Sequence, residues 1–294
     1  MQISSSDRSE WGGLLLLAVI IAGLAWSVHS SASKSDAALN RNAKSPNYWA
    51  SQPGPIDSPT PCCNDKPHLL AASFYSVKNG LSAKLLLNNK GPHPIEVEPT
   101  LFSMGGESHK VAPVTVEGNS FQILDMSSWI AAAGPQFREG SIQAFHVGPD
   151  LVIGAQVYLE DDARSLVFEE KFAEPANFHS SQLRSVWWLP TPNGEVLLAL
   201  SNTSDSAVTV TARADGQRPT RGGSATVELS PHETRLLHVQ QDIFGNDHGA
   251  MSRLGGISVE HNGPAGAVLA RGFAQESGKG YSLALQFADP QGAR

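Results

Sequence analysis

Short apolar runs alternate with polar positions along most of this chain, and the runs of its first half recur in its second half. Residues 85–89 are LLLNN, and residues 198–202, which lie 113 positions later, are LALSN. Residues 121–126 and 234–239 are related by the same offset of 113 positions. Later the offset grows to 115 (149 to 264) and 117 (166 to 283), as expected when a copied domain gains residues at its turns. The pattern predicts two similar domains in tandem.

The repeated runs have the length and spacing of β-strands separated by turn residues. In the first repeat we predict strands at residues 69–77, 81–88, 95–102, 110–116, 120–126, 142–147, 152–159 and 165–172. In the second repeat we predict strands at residues 196–200, 207–213, 225–229, 234–239, 257–261, 268–273 and 281–287. Apolar and polar residues alternate in 207–213, so one face is buried and the other is wet, which favours antiparallel pairing. Two brief segments, 127–133 and 240–244, are predicted to be helical.

These elements predict an all-β chain with two tandem antiparallel β-sandwich domains of the immunoglobulin-like kind, preceded by one N-terminal transmembrane helix and a disordered linker. The predicted order is a polar tail at 1–10, a transmembrane helix or signal anchor at 11–28, a Ser- and Pro-rich linker at 29–66, the first sandwich at 67–175, a connection at 176–183 and the second sandwich at 184–290. A length of 294 residues suits two domains of ordinary size, each able to bury a core of its own.

In strand count and tandem arrangement, residues 67–290 resemble the immunoglobulin-like and related β-sandwich repeats of bacterial surface and periplasmic proteins. They are also similar to repeats of uncharacterised bacterial membrane-anchored proteins. The resemblance is one of pattern, because the Cys, Trp and Cys spacing of antibody domains is missing. It implies a β-sandwich fold, and it carries over no activity and no site residue.

The N-terminal segment 11–28 is an uncharged apolar run of 18 residues, which is just long enough to cross a bilayer as a helix. The alternative is a cleaved signal peptide, since small residues at 30–32 could form a cleavage site. Asp7 and Glu10 offset Arg8 before the run, whereas an export signal usually begins with net positive charge. We therefore predict an uncleaved anchor.

The orientation of this anchor depends on two opposing signals. More basic residues follow the apolar run than precede it, and the positive-inside bias alone would keep the carboxyl side in the cytoplasm. Long domains are translocated with little regard to charge, and a short amino-terminal tail is typical of a signal anchor. We expect a single-pass cell-membrane protein whose repeats are extracytoplasmic, in the periplasm or at the cell surface, held off the membrane by the linker 29–66.

Charge and cysteine content limit the partners and cofactors. The chain has 21 Lys and Arg against 28 Asp and Glu, a net charge of −7, which disfavours nucleic acid as a partner. Its two cysteines, Cys62 and Cys63, are adjacent, so neither repeat contains an internal disulfide. They can form a strained ring with each other, bridge to a second chain or stay reduced. Two thiols are too few for a closed zinc site, and we predict no metal and no cofactor.

Two aromatic pairs are the predicted binding residues. Phe74 and Tyr75 correspond to Trp187 and Trp188 at the offset of 113. Because successive strand residues point to opposite faces, we expect one aromatic of each pair in the core and the other facing outward or between domains. An exposed tryptophan could stack on a sugar ring, and packing between the domains is the alternative.

His146 and His261 each follow a strand and precede a Gly-containing turn at the same place in their repeats. A metal site would need further ligands, and the chain has no HExxH motif and no histidines at metal spacing. We expect each imidazole to hydrogen-bond the backbone of its own turn. The chain also lacks a Gly-x-Ser-x-Gly elbow, and the segment 278–280 lacks the residues of a phosphate-binding loop.

These observations favour a non-catalytic structural or protein-interaction module, tethered to the membrane and binding an unknown extracytoplasmic protein. The first alternative is a module that binds carbohydrate or cell-wall glycan through exposed aromatics. The second is a hydrolase whose site is assembled from distant residues. It requires a cleft that collects at least two side chains from the following set: Asp125, Glu139, His146, His238 and His261.

Overall fold

Antiparallel β-strands make up most of the chain that the computed structural model describes, which is residues 65–164, 166–189, 194–216, 222–245, 254–276 and 281–290. The prediction of an all-β chain with antiparallel sheets and few helices is confirmed. The predicted tail, membrane helix and most of the linker, together with Cys62 and Cys63, lie outside these residues. Within them, no helix is long and apolar enough to span a bilayer.

The first repeat forms two sheets. Its strands are β1 (Lys66–Ser76), β2 (Ser82–Asn89), β3 (Ile95–Ser103), β4 (Ser108–Lys110), β5 (Val114–Val116), β6 (Ser120–Asp125), β7 (Glu139–Gly148), β8 (Ile153–Asp161) and β9 (Leu166–Lys171). One sheet has the order β1-β7-β3-β4, with β5 also paired to β3, and the other has the order β6-β2-β8-β9. A short helix α1 (Ser127–Ala133) and a 3-10 turn (Pro135–Arg138) connect β6 to β7.

The second repeat has the same topology. Its strands are β10 (Gln182–Trp188), β11 (Glu195–Asn202), β12 (Val208–Gly216), β13 (Gly222–Leu229), β14 (Thr234–His238), β15 (Leu254–His261), β16 (Val268–Glu276) and β17 (Tyr281–Gln286). Its sheets have the orders β10-β15-β12-β13 and β14-β11-β16-β17. Each strand of this repeat therefore takes the place of a strand of the first, with β10 for β1, β11 for β2, β16 for β8 and β17 for β9.

Each pair of sheets encloses a β-sandwich-like core, because alternate residues of the strands point inward. In β2 these are Leu85 and Leu87, and in β11 they are Leu198 and Leu200, all fully buried. These leucines are the repeated apolar residues of the LLLNN and LALSN segments. The packing of one strand thus explains why the two segments are similar.

The last asparagine of each segment, Asn89 or Asn202, hydrogen-bonds backbone carbonyl groups, which explains why it is repeated. Asn89 donates from Nδ2 to the carbonyl oxygens of His93 and Val116, at 2.8 and 2.9 Å. Asn202 is also buried and donates from Nδ2 to carbonyl oxygens of the matching turn, including that of Ser206 at 2.7 Å. Each side chain satisfies backbone groups of the loop that follows its strand, as turn asparagines commonly do.

Three element predictions needed correction. The strand predicted at 110–116 is interrupted at 111–113, between β4 and β5, because Pro113 has no N–H to continue the ladder. Strand β10 begins at Gln182, inside the segment predicted to be a connection. The helix predicted at 240–244 is a π-helix at Val239–Ile243, whereas α1 has the predicted bounds.

Candidate functional site

The two repeats meet at a junction where one edge of the first repeat packs on the outer face of a sheet of the second. The edge consists of β1 and β9, and the face consists of β11, β14, β16 and β17. Phe273 of β16 contacts Phe74 and Phe168, with ring centroids 5.8 and 5.3 Å apart. Phe273 and Ala199 belong to the buried core of the first repeat, so the junction is continuous with that core. All the residues concerned lie in one compact unit.

Polar contacts extend the junction beyond the aromatic cluster. The Ser282 hydroxyl accepts a hydrogen bond of 3.1 Å from the Val167 N–H and donates one back to the Val167 carbonyl oxygen. The Thr234 N–H donates to the Met104 carbonyl oxygen at 3.0 Å. The His232 ring stacks on Phe102 with centroids 4.5 Å apart. The contacts fix how the repeats are arranged as well as holding them together.

Glu170 is a fully buried carboxyl group at the edge of the junction. Its oxygens accept hydrogen bonds from the Ser73 hydroxyl at 2.8 Å, the Phe74 N–H at 3.0 Å and the Ser73 N–H. Burial raises the pKa of Glu170 to about 7, although these hydrogen bonds and the nearby Arg271 act in the opposite direction. A group with this pKa changes its charge near neutral pH.

The hydrogen bonds to Glu170 explain a bulge in β1. The pairing of β1 with β7 shifts between Ala72 and Tyr75, which frees the backbone N–H groups of Ser73 and Phe74 from the ladder. Glu170 accepts both N–H groups, so the bulge contains no unsatisfied donor. In the second repeat the equivalent of Glu170 is Leu285. Each lies three residues before an alanine that forms an isolated β-bridge to the edge strand of its repeat, Ala173 to β1 and Ala288 to β10. No register shift interrupts the pairing of β10 with β15.

Arg271 brings a buried positive charge to the same region. Its guanidinium donates to the Glu169 carbonyl oxygen, while its Nε has no hydrogen-bond partner. Burial lowers the pKa of Arg271, and the carboxylates of Glu170 and Glu169 partly offset this effect. A cavity of about 170 Å³ lies against Glu170 and Arg271.

The bulge also corrects the matching of the aromatic pairs. Tyr75 pairs with Gly140 in β7, and Trp187 pairs with Gly255 in β15, so Tyr75 corresponds to Trp187 rather than to Trp188. Both are fully buried in their cores. The Tyr75 hydroxyl donates to the Phe137 carbonyl oxygen at 2.9 Å, and burial raises the pKa of this phenol. The offset of 113 fails here because β1 contains one extra residue.

The predicted division of each aromatic pair between the core and another surface is observed. Phe74 lies at the junction, and Trp188 is 53 % exposed on the edge strand β10. The structure does not bring the four aromatics into one site, since Phe74 contacts Phe273 while Trp187 contacts Phe244. A binding role for these residues remains a prediction.

A cavity of about 270 Å³ lies at the junction and tests the cleft requirement for a hydrolase. Its lining includes Glu139 and His238, which are two of the five predicted residues. The cavity therefore contains the minimum number of titratable side chains that the hydrolase hypothesis requires. Glu139 accepts from Lys78 Nζ at 2.5 Å, and His238 Nδ1 lies 3.8 Å from a Glu195 oxygen. Most of the remaining lining is apolar. Both titratable groups thus have charged neighbours that explain their positions, and a hydrolase remains a hypothesis.

His146 belongs to a buried cluster at the end of the first repeat. His68 Nδ1 lies 2.8 Å from a Glu174 oxygen, and its Nε2 lies 3.0 Å from the Gly148 carbonyl oxygen. Both contacts hold the His68 ring in place between Glu174 and the end of β7. The His146 ring stacks on the His68 ring, with centroids 4.9 Å apart. Burial and then the charge of His68 lower the pKa of His146 to about 4, so His146 is neutral.

The prediction that each histidine hydrogen-bonds the backbone of its own turn is wrong for His146, and at His261 only the approach of the Gly263 N–H agrees with it. His146 Nδ1 is buried without a hydrogen-bond partner, and so are both ring nitrogens of His261. Burial lowers the pKa of His261, and the nearby Gly263 N–H opposes this without reaching hydrogen-bond geometry. Of the other predicted site residues, Asp125 is exposed at the end of β6 and accepts from the Ser127 N–H. In the described ranges, no three His, Cys, Asp or Glu side chains are grouped as metal ligands.

Exposed apolar side chains remain on the outer side of β1 and β7, where Leu69, Phe145 and Val147 are 37 %, 37 % and 53 % exposed, and on two further surfaces. The first, which we call the open face, lies on the outer side of the β6-β2-β8-β9 sheet and contains Phe121 and Ile123, 65 % and 59 % exposed. The second, which we call the open edge, lies on β10 and β17 and contains Val186, Trp188 and Leu283, which are 69 %, 53 % and 45 % exposed. Exposed apolar groups that cluster in this way mark contact sites for other molecules.

The comparisons with known proteins identify no relative: no protein-family model, no curated protein and no solved structure matches this chain.

Proposed function

We propose that the chain is a non-catalytic structural or protein-interaction module, built of two immunoglobulin-like β-sandwiches that are tethered to the cell membrane and displayed outside the cytoplasm. One observation carries the proposal. The junction buries the apolar edge of the first repeat, while the open face and the open edge leave large apolar side chains in solvent at other places. A rigid pair of sandwiches with exposed apolar surfaces is suited to holding a partner.

The proposed location comes from the sequence. The apolar segment 11–28 supplies an anchor, and the Pro-rich linker supplies reach between the membrane and the repeats. Cys62 and Cys63 lie in that linker and supply thiols that could bridge to a second chain.

Crosslinking in native membranes tests this function. The full chain is crosslinked, recovered and searched for attached extracytoplasmic proteins, with and without reductant. We expect specific capture that Trp188→Glu or Ile123→Glu abolishes, whereas Thr115→Glu, on an exposed polar residue of β5, leaves it unchanged. Capture that reductant releases would assign the bridge to Cys62 and Cys63. Recovery of the chain alone under all conditions would reject the proposal.

A glycan-binding module is the second candidate, and the exposure of Trp188 on an edge strand favours it. Binding to isolated cell wall that Trp188→Ala removes, with the circular dichroism spectrum retained, would establish it. Phe121→Ala is the matched control, since Phe121 is an exposed aromatic on the other surface. Equal loss with both variants would indicate nonspecific adhesion of apolar groups.

A further inference from the structure

The junction between the repeats shows what kind of surface the open face accepts. Because the repeats have the same topology, strand pairing assigns each residue a counterpart in the other repeat. Leu86 of β2 pairs with Ile123, and Ala199 of β11 pairs with Leu236, so these two pairs are equivalent. In the same way Tyr158 of β8 is equivalent to Phe273, through their partners in β2 and β11.

The residues of the second repeat in these pairs form the junction. Ala199, Leu236 and Phe273 all pack into the core of the first repeat. Their equivalents Leu86, Ile123 and Tyr158 lie on the open face, where Ile123 is 59 % exposed. The open face is therefore the surface that, in the second repeat, is covered by the edge of a β-sandwich.

The open edge has the complementary property. Strand pairing makes Trp187 of β10 equivalent to Tyr75 of β1. The next residue, Trp188, then takes the place of Ser76. The preceding residue, Val186, takes the place of the two bulged residues Ser73 and Phe74. Leu283 takes the place of Phe168, because it pairs with Ala274 as Phe168 pairs with Leu159. The offset here is therefore 115 (283 − 168), and the offset of 117 that the sequence suggested is wrong. In the first repeat, Phe74 and Phe168 bind Phe273 of the second.

We propose that the open edge of one copy of this chain docks on the open face of a second copy, through a contact that repeats the junction between chains. The proposal rests on the proposed function and names its partner. Such a contact is heterologous, joining two different surfaces, so each copy retains one free surface and the copies assemble head to tail. Leu283 of one copy then lies against Tyr158 of the next, as Phe168 lies against Phe273.

The contact between chains is less polar than the junction. On the open edge, Leu285 stands where Glu170 stands in the junction, as the matching β-bridges show. On the open face, Gln156 of β8 stands where Arg271 of β16 stands in the junction. No buried carboxylate or guanidinium has to be desolvated at these two positions, and apolar burial supplies the association energy. We therefore expect assembly to depend weakly on pH between 6 and 8.

Mixed cysteine crosslinking tests the direction of the contact. Two full-length variants are made, Leu283→Cys and Tyr158→Cys, both with Cys62→Ser and Cys63→Ser. They carry different epitope tags and are treated with a short bis-maleimide, separately and mixed. Head-to-tail docking predicts a crosslinked dimer that contains both tags from the mixture, and no dimer from either variant alone. In the control, Thr115→Cys replaces Tyr158→Cys, and we expect no crosslink because Thr115 is exposed on the other sheet, on β5.

Absence of the mixed dimer, or equal crosslinking of each variant alone, would overturn the proposal. If a cysteine variant fails to fold, sedimentation of the unmodified full chain in detergent decides. Assembly must then increase with concentration without a fixed stoichiometry, and Ile123→Glu must weaken it at least tenfold. A chain that remains monomeric overturns the inference. Capture of a different protein in native membranes by such a chain would leave the proposed function intact.

Discussion

Glu170 gives the first repeat a stability that depends on pH, because burial of its carboxyl group raises the pKa. Its folded pKa of about 7 lies above the reference value of 4.5. Below pH 4.5 the group is protonated in both the folded and the unfolded chain. As the pH rises toward 7, the unfolded chain loses this proton first, so the free energy of unfolding falls by roughly 3 kcal/mol.

The variant Glu170→Gln should remove this dependence, because an amide does not titrate. Urea unfolding at several values between pH 4.5 and pH 7.5 measures the difference between the two proteins. Glu98→Gln is the control, since Glu98 is exposed on β3 in the other sheet and its removal should keep the native pH profile. Parallel pH profiles for the native chain and Glu170→Gln would show that Arg271 keeps the carboxylate ionised throughout.

His146 should produce a pH effect of the opposite sign. Its folded pKa of about 4 lies below the reference value of 6.5, so the unfolded chain binds this proton first as the pH falls. The free energy of unfolding therefore decreases by roughly 3 kcal/mol between pH 6.5 and 4. His146→Phe should abolish that loss, whereas His93→Phe, at an exposed position, should not. An imidazole NMR titration of His146 with a midpoint near 6.5 would contradict this account.

The sequence reveals buried Glu170 better than it reveals the buried cluster around His146. In the predicted strand 165–172, Leu166, Phe168 and Glu170 alternate, so a charged side chain is predicted to point inward, and this signal could have identified Glu170. The pairing of His68 with Glu174 joins residues 106 positions apart and depends on how strand ends meet in space. Local patterns contain no information about such a contact.

At the level of elements, the turn between β3 and β4 shapes the junction. Gly106 has φ +88°, and a Cβ there would lie 2.3 Å from the Pro231 carbonyl oxygen in the second repeat. Gly106→Ala should therefore reduce the free energy of unfolding by about 2–4 kcal/mol, through backbone strain and a clash across the junction. Gly105→Ala is a neighbouring control, because its nearest atom would be Ser103 Oγ at 3.8 Å. Equal urea midpoints for the two variants would show that this turn moves freely.

Elements with local causes could be predicted, and those with distant causes could not. Helix α1 has the bounds that its sequence indicates, and the alternation of apolar residues located most strands. The bulge in β1 depends on Glu170, which lies about a hundred positions away, so the offset of 113 could not show that Tyr75 corresponds to Trp187. Strand β10 was missed because apolar residues lie on both of its faces. Leu183 and Trp187 are buried, whereas Val186 and Trp188 are exposed, so the sequence shows no clear alternation.

At the level of the whole molecule, the duplication explains which surfaces are buried and which are exposed. One copy of the sandwich offers an edge and the other offers a face, and the junction uses one of each. The unused face and the unused edge keep the apolar character of the surfaces from which they were copied. A duplicated module that binds its own copy thus has, by construction, a surface pair that can bind another molecule of the same chain.

The junction should also make the two repeats unfold together, because Phe273 completes the core of the first repeat. Phe273→Ala removes the ring that Phe74 and Phe168 contact and should reduce the free energy of unfolding by about 3–5 kcal/mol. It should also divide a single calorimetric transition into two, since each repeat keeps its own core but loses its coupling to the other. Phe121→Ala removes an exposed ring and should change stability by less than about 0.5 kcal/mol. Two transitions in the native chain would show instead that the repeats are independent and that the junction contributes little to their stability.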